Sequence, residues 1–105
     1  MVKQFVRASL ITLLAAGTVS FAQDAAATYK SKCQMCHGAD GLADTPAGKS
    51  TKARPFNSPD VTKMSDDDLI KVITDGHAKM PAYKGKLTDA QIKDLVAYIH
   101  TLQKK

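Results

Sequence analysis

The 105-residue sequence contains no tryptophan and no glutamate, so all of its negative charge comes from ten aspartates. Cysteine occurs only twice, and Phe and Tyr supply three rings each. Each scarcity excludes something. Few aromatics and a basic excess scattered as single lysines argue against a nucleic-acid surface, which needs stacking platforms and a clustered cationic stripe. Two cysteines cannot build the multi-bridge framework of small secreted scaffolds. No alternating apolar–polar run of strand length occurs, which leaves helices and loops. The longest uncharged apolar stretch, from Ala8 to Ala22, is shorter than the roughly 20 residues that a membrane span needs.

That stretch is informative in another way. Lys3 and Arg7 precede it, and it ends in Ser20-Phe21-Ala22. A positive start, an apolar centre and small residues at the outer positions of the last triplet predict a secretory signal peptide, residues 1–22, removed after Ala22. The working domain is then 23–105, with a periplasmic location and no membrane span. In that part 13 Lys and Arg face 10 Asp, and Arg54 is the one arginine. The lysine excess suits steering toward an acidic protein and suits plain solubility equally well. A domain this small buries too little surface to be secure on an apolar core alone, so a staple, a metal or a cofactor is expected.

Three main helices can be read. The first is capped by Asp24 and runs through "AAATYKSKCQMC" to Gly38, with Ala25, Tyr29, Cys33, Cys36 and His37 sharing a face. The second is capped by Ser65, carries Asp66, Asp67 and Asp68 in its first turn, buries Leu69, Ile70, Val72 and Ile73, and stops at Gly76. The third opens with the capping-box pattern Thr88-Asp89-Ala90-Gln91 and repeats Ile92, Leu95, Val96, Ile99 and Leu102 at helical spacing. Residues 38–64, punctuated by Gly and Pro, read as a long loop. So long a loop in a small domain is expected to wrap something functional.

What is present in spite of the scarcity is "KCQMCH", which puts both cysteines and a histidine, Cys33, Cys36 and His37, within five positions. Cys-x-x-Cys-His is the attachment signature of c-type haem. On one helical turn the two thiols project the same way and can add across the two vinyl groups of a porphyrin edge. The adjacent imidazole is then held beneath the iron. A zinc-binding structural module is the bland alternative, but it needs a fourth ligand, and neither His77 nor His100 brings a second spaced partner. A redox-active dithiol wants a βαβ setting that is absent.

With "YKSKCQMCHGADG", "DGHAKMPAY" and "LTDAQIKDLVAYI", residues 24–103 resemble a small bacterial class I cytochrome c. The resemblance implies an all-α cytochrome c fold wrapped around one covalent haem c, a monomer, and a one-electron carrier between larger redox proteins. It implies that the terminal helices cross through Ala25 and Tyr29 against Leu95 and Tyr98, with Ala25 standing where the family usually has glycine. For the sixth iron ligand the candidates are Met35, Met64, Met80, His77 and His100. Met35 points away from the cysteines on a helix, Met64 reads as a packing staple beside a cap, and His100 sits on the last helix. Met80, before Pro81, matches the family's Gly-x-x-x-Met-Pro context, with His77 the alternative. The resemblance further offers the Pro46 carbonyl as acceptor for His37, Arg54 as a propionate partner, and Lys79, Lys84 and Lys86 as docking charges. Tyr83 and Phe56 are expected near the haem. Thioether sulfur opposite imidazole favours ferrous iron and fills both axial positions, which favours a carrier over a catalyst. A haem enzyme or sensor with a labile sixth ligand is the rival.

Overall fold

The computed structural model describes residues 21–104. Six helices occur there: α1 (Phe21–Lys32), α2 (Gln34–His37), α3 (Pro46–Thr51), α4 (Pro59–Thr62), α5 (Asp66–Asp75) and α6 (Asp89–Gln103). No strand forms among the described residues; two isolated bridges, His77 with Met80 and Lys84 with Leu87, pin the segment before α6. The proposed leader lies almost wholly outside the described residues. None of the described helices is long and apolar enough to cross a membrane.

Two expectations about the first helix need correction. Asp24 is not its cap: it lies within α1, Phe21–Lys32, where it stands as an acidic residue in the first described turn. Nor is the helix continuous to His37. It breaks at Cys33, which has φ −118° and ψ −33° and starts α2. Residues 38–64 are also not all loop. Thr45-Pro46 and Ser58-Pro59 open α3 and α4, proline standing at the first helical position where its missing N–H costs nothing.

α1 packs against α6, and Ala25 and Tyr29 of the one and Ile92 and Leu95 of the other are all nearly inaccessible. The Tyr29 ring lies 5.1 Å from that of Tyr98 and 6.2 Å from that of Phe56. Its hydroxyl donates to the Gly38 carbonyl, which ties α1 to the turn after α2. α6 carries its complete capping box, and Ile92, Leu95, Val96, Ile99 and Leu102 are all buried as the spacing requires. α5 is capped by the Ser65 hydroxyl on the Asp68 amide at 3.1 Å. It buries Leu69 and Ile73, while Ile70 and Val72 are half-buried. α5 packs on α6, so α1, α5 and α6 form three sides of a space that α2 and the segment after α5 close.

Candidate cofactor site

That space is a cavity of about 1140 Å³, its open mouth included. Its floor is apolar: Val61, Leu69, Ile73, Leu95 and Ile99 come from the same core cluster that joins the helices. Cys33, Cys36 and His37 line it from α2, and Met80 lines it from the segment after α5. Residues more than forty positions apart in sequence thus converge on one chamber.

The Cys-x-x-Cys-His turn is rigid. The His37 amide bonds the Cys33 carbonyl at 2.9 Å, and the Ala43 amide bonds the His37 carbonyl at 2.8 Å. α3 supports it from behind. The Thr45 hydroxyl donates toward the Met35 carbonyl at 2.7 Å, lies 3.2 Å from the Cys36 carbonyl, and accepts the Gly48 amide at 2.8 Å. Gly48 lets α3 come this close: a Cβ there would stand 2.2 Å from the Cys36 carbonyl oxygen and 2.6 Å from that of Ala43. Both cysteines are free thiols. Burial pushes the Cys33 thiol up to about 11, with Lys32 opposing and Cys36 adding to the rise. It is therefore held as the protonated thiol at neutral pH.

His37 stacks on Phe56, ring centroids 4.7 Å apart and planes 22° from parallel. Burial lowers its pKa, so the imidazole is neutral and able to act as a ligand. Its Nδ1 is buried and has no hydrogen-bond partner. The Pro46 carbonyl, the expected acceptor, does not receive it in this arrangement; Pro46 is exposed and serves as the first residue of α3. A ring nitrogen left orphaned in an apolar pocket is costly.

Met80 is half-buried and packs against the core cluster. Its segment folds back over Gly76, whose φ is +80° and where a Cβ would meet the Met80 carbonyl oxygen at 2.8 Å and the Ala82 amide at 2.9 Å. Only glycine satisfies both demands. The His77 amide and the Met80 carbonyl, and the Met80 amide and the His77 carbonyl, bond each other at 3.1 and 2.8 Å. His77, Lys79 and Arg54 line the same chamber, and so does Met64, which combines that position with its expected packing role. Tyr83 lines it as well. Lys84 and Lys86 are exposed and stand outside it. Met35 is 75% exposed, as its helical direction required. His100 lies away from the chamber, 2.6 Å from Asp66.

The cations at the wall are Lys32, Lys52, Arg54 and Lys79; no carboxylate joins them. A flat apolar group carrying carboxylates suits such a lining, and paired thiols with a neutral imidazole suit haem attachment and iron. No cluster of three or more His, Cys or Asp side chains placed to hold a metal ion by themselves occurs among the described residues. The residues that sequence reasoning missed are Thr45, Gly48, Lys32 and Lys52. The Thr-Pro-x-Gly pattern of 45–48 signalled a capped helix start, but nothing local tells which turn it abuts.

A family profile described as cytochrome C oxidase, cbb3-type, subunit III matches residues 20–99. Cytochrome c6 of Picosynechococcus sp. is 35% identical over 98 residues, covering 86% of this chain and 83% of that one. Subunit CcoP of the cbb3-type cytochrome c oxidase of Azospirillum brasilense is 36% identical over 87 residues, covering 75% of this chain but 30% of that protein. Among solved structures, the KustC0563 c-type cytochrome superposes with a TM-score of 0.69 at 32% identity, covering 75% of this chain and 96% of that one.

Proposed function

The chain belongs to the c-type cytochromes, electron-transfer proteins with covalently bound haem c, and from that premise we propose that it is an exported, monomeric one-electron shuttle with His37 and Met80 as its axial pair. The observation that carries this reading is the convergence of Cys33, Cys36, His37 and Met80 on one apolar chamber. Haem c supplies the one-electron Fe(III)/Fe(II) couple.

The chain's own residues do the rest. Cys33 and Cys36 tether the group through their sulfurs. His37 offers a neutral nitrogen, oriented by its stacking on Phe56. Met80 offers a thioether from a segment whose turn is fixed by Gly76. Soft sulfur and an apolar floor both disfavour the extra ferric charge, which raises the potential. Arg54 is proposed to pair with a propionate from the chamber's wall. The exposed Lys79, Lys84 and Lys86 give the surface near this segment a positive character that suits docking on acidic redox proteins.

The test is Met80→Ala in haem-loaded protein. Wild type should show the weak sulfur-to-iron charge-transfer band of the ferric state, and its ferrous form should bind carbon monoxide poorly at neutral pH. Met80→Ala should lose the band and bind carbon monoxide readily. Should Met64→Ala abolish the band instead, or should wild type bind carbon monoxide at once, the axial assignment fails and the sensor or enzyme reading takes over.

A further inference from the structure

The break between α1 and α2 frees a carbonyl, and Tyr83 occupies it. In an unbroken helix the Cys36 amide would reach back four residues to the Lys32 carbonyl. Here it turns to the Cys33 carbonyl at 3.2 Å. The Lys32 carbonyl instead accepts the Tyr83 hydroxyl at 2.9 Å, a contact across 51 positions of sequence.

The rest of the Met80 segment is anchored from the other side. The Tyr83 and Lys84 amides bond the Ile73 and Thr74 carbonyls at the end of α5, both at 3.0 Å, and the Lys86 and Leu87 amides bond the Tyr83 carbonyl. Among the described residues, two hydrogen bonds carry residues 76–87 across to the half of the molecule that bears Cys33, Cys36 and His37. One is from Tyr83. The other runs from the exposed Lys79 ammonium to the Ser50 carbonyl at 3.5 Å, beyond the usual range for such a bond. Tyr83 is half-buried, with Lys86 Nζ 5.9 Å from its ring centre. Burial raises the pKa of its phenol, so it stays a donor.

We infer that Tyr83 is a positioning residue: its hydroxyl clasps the Met80 segment to the chain immediately before Cys33, and thereby sets how easily Met80 gives way to an outside ligand. This rests on the reading of Met80 as an axial ligand. A single hydrogen bond of this kind is worth roughly a three- to tenfold change in an opening equilibrium.

The test compares wild type, Tyr83→Phe and Met80→Ala as haem-loaded proteins, using imidazole binding to the ferric form and amide hydrogen exchange. Tyr83→Phe should keep the full haem mass and the charge-transfer band. It should bind imidazole about three- to tenfold more tightly than wild type. Exchange at Met80, Tyr83 and Lys84 should quicken by a similar factor, while the amides of Ile92 to Ile99 in α6 keep their rates. Unchanged imidazole affinity and unchanged exchange overturn the inference. So does acceleration spread equally over α6, which would make the hydroxyl a general stabiliser. If Met80→Ala binds imidazole no more tightly than wild type, the axial reading fails, and the exchange pattern alone then decides for or against the clasp. Should Tyr83→Phe not fold, the ferrous wild type decides: a slowly exchanging Tyr83 hydroxyl proton in its NMR spectrum supports the clasp, and its absence overturns it.

Discussion

Gly48 shows at the scale of one residue how tightly the attachment turn is held. The glycine is needed for closeness, since its own backbone is ordinary helix while Cys36 and Ala43 carbonyl oxygens press on the place where a Cβ would go. Both neighbours are backbone atoms of the Cys-x-x-Cys-His turn and its continuation, so neither can swing aside as a flexible side chain would. Gly48→Ala should therefore lower the stability of the haem-loaded protein by about 1–3 kcal/mol, the usual cost of overpacking. In a domain of this size that is a loss of several degrees in Tm, roughly 4–8 °C for each kcal/mol. Denaturant midpoints read the same quantity. Equal midpoints for variant and wild type would show that α3 does not buttress α2. The sequence offered no hint of this contact, because a glycine in "TPAGKS" looks like any loop glycine until the partner twelve positions upstream is known.

Among the elements, α5 and α6 are joined at an outer corner by a histidine that has no part in the chamber. His100 Nε2 lies 2.6 Å from Asp66 Oδ1, at the first turn of α5, and Nδ1 lies 2.8 Å from Gln103 Oε1. The hydrogen bond to Asp66 first, and that to Gln103 next, raise the His100 pKa above 6.5, against smaller opposition from burial and Lys104. A raised folded value means that the pair's stabilisation is complete below the unfolded value, about 6.5, and is lost as pH rises through the higher folded value. Haem-loaded protein should accordingly show a denaturant midpoint that declines over that window, and His100→Gln should flatten this part of the profile. A variant that keeps the full slope would assign it to other groups. The side chains are 37% and 66% exposed, so the effect is small and weakens with salt. Element boundaries were legible wherever a cap met a periodic face: Ser65, Thr88 and Gly76 stand where the residue types put them. Less legible were the break at Cys33, which answers to Thr45 and Tyr83 from distant segments, and α3 and α4, which are too short for any periodicity to announce. Of the site, the cysteines, His37 and Met80 carried recognisable spacing, whereas the cationic wall of Lys32 and Lys52 depends on how loops fold together.

For the whole molecule, the decisive fact is that core and cofactor chamber share one set of side chains. Leu69, Ile73, Leu95 and Ile99 belong to the cluster that joins the helices and also floor the cavity. A chain of this length has little to spare, since small domains bury a low fraction of their surface and hold only about 5–15 kcal/mol of net stability. An unfilled cavity costs about 24 cal/mol per Å³ where the walls cannot collapse. The part of the chamber comparable with such an enclosed cavity is about 170 Å³, which at that rate comes to ~4 kcal/mol, a large share of what the domain has. Filling the chamber removes this cost, and tethering the occupant through Cys33 and Cys36 would keep it from leaving a shell with an open mouth. A Cys33→Ala, Cys36→Ala double variant, which removes no large apolar group, should therefore be mostly unfolded when purified without haem. Far-UV circular dichroism should find little of the helicity of the loaded wild type, and hydrogen exchange should find no protected core in α1 or α6. Native-like helicity in the haem-free variant would mean that the six helices hold their arrangement by packing among themselves, with the chamber a passenger in the fold.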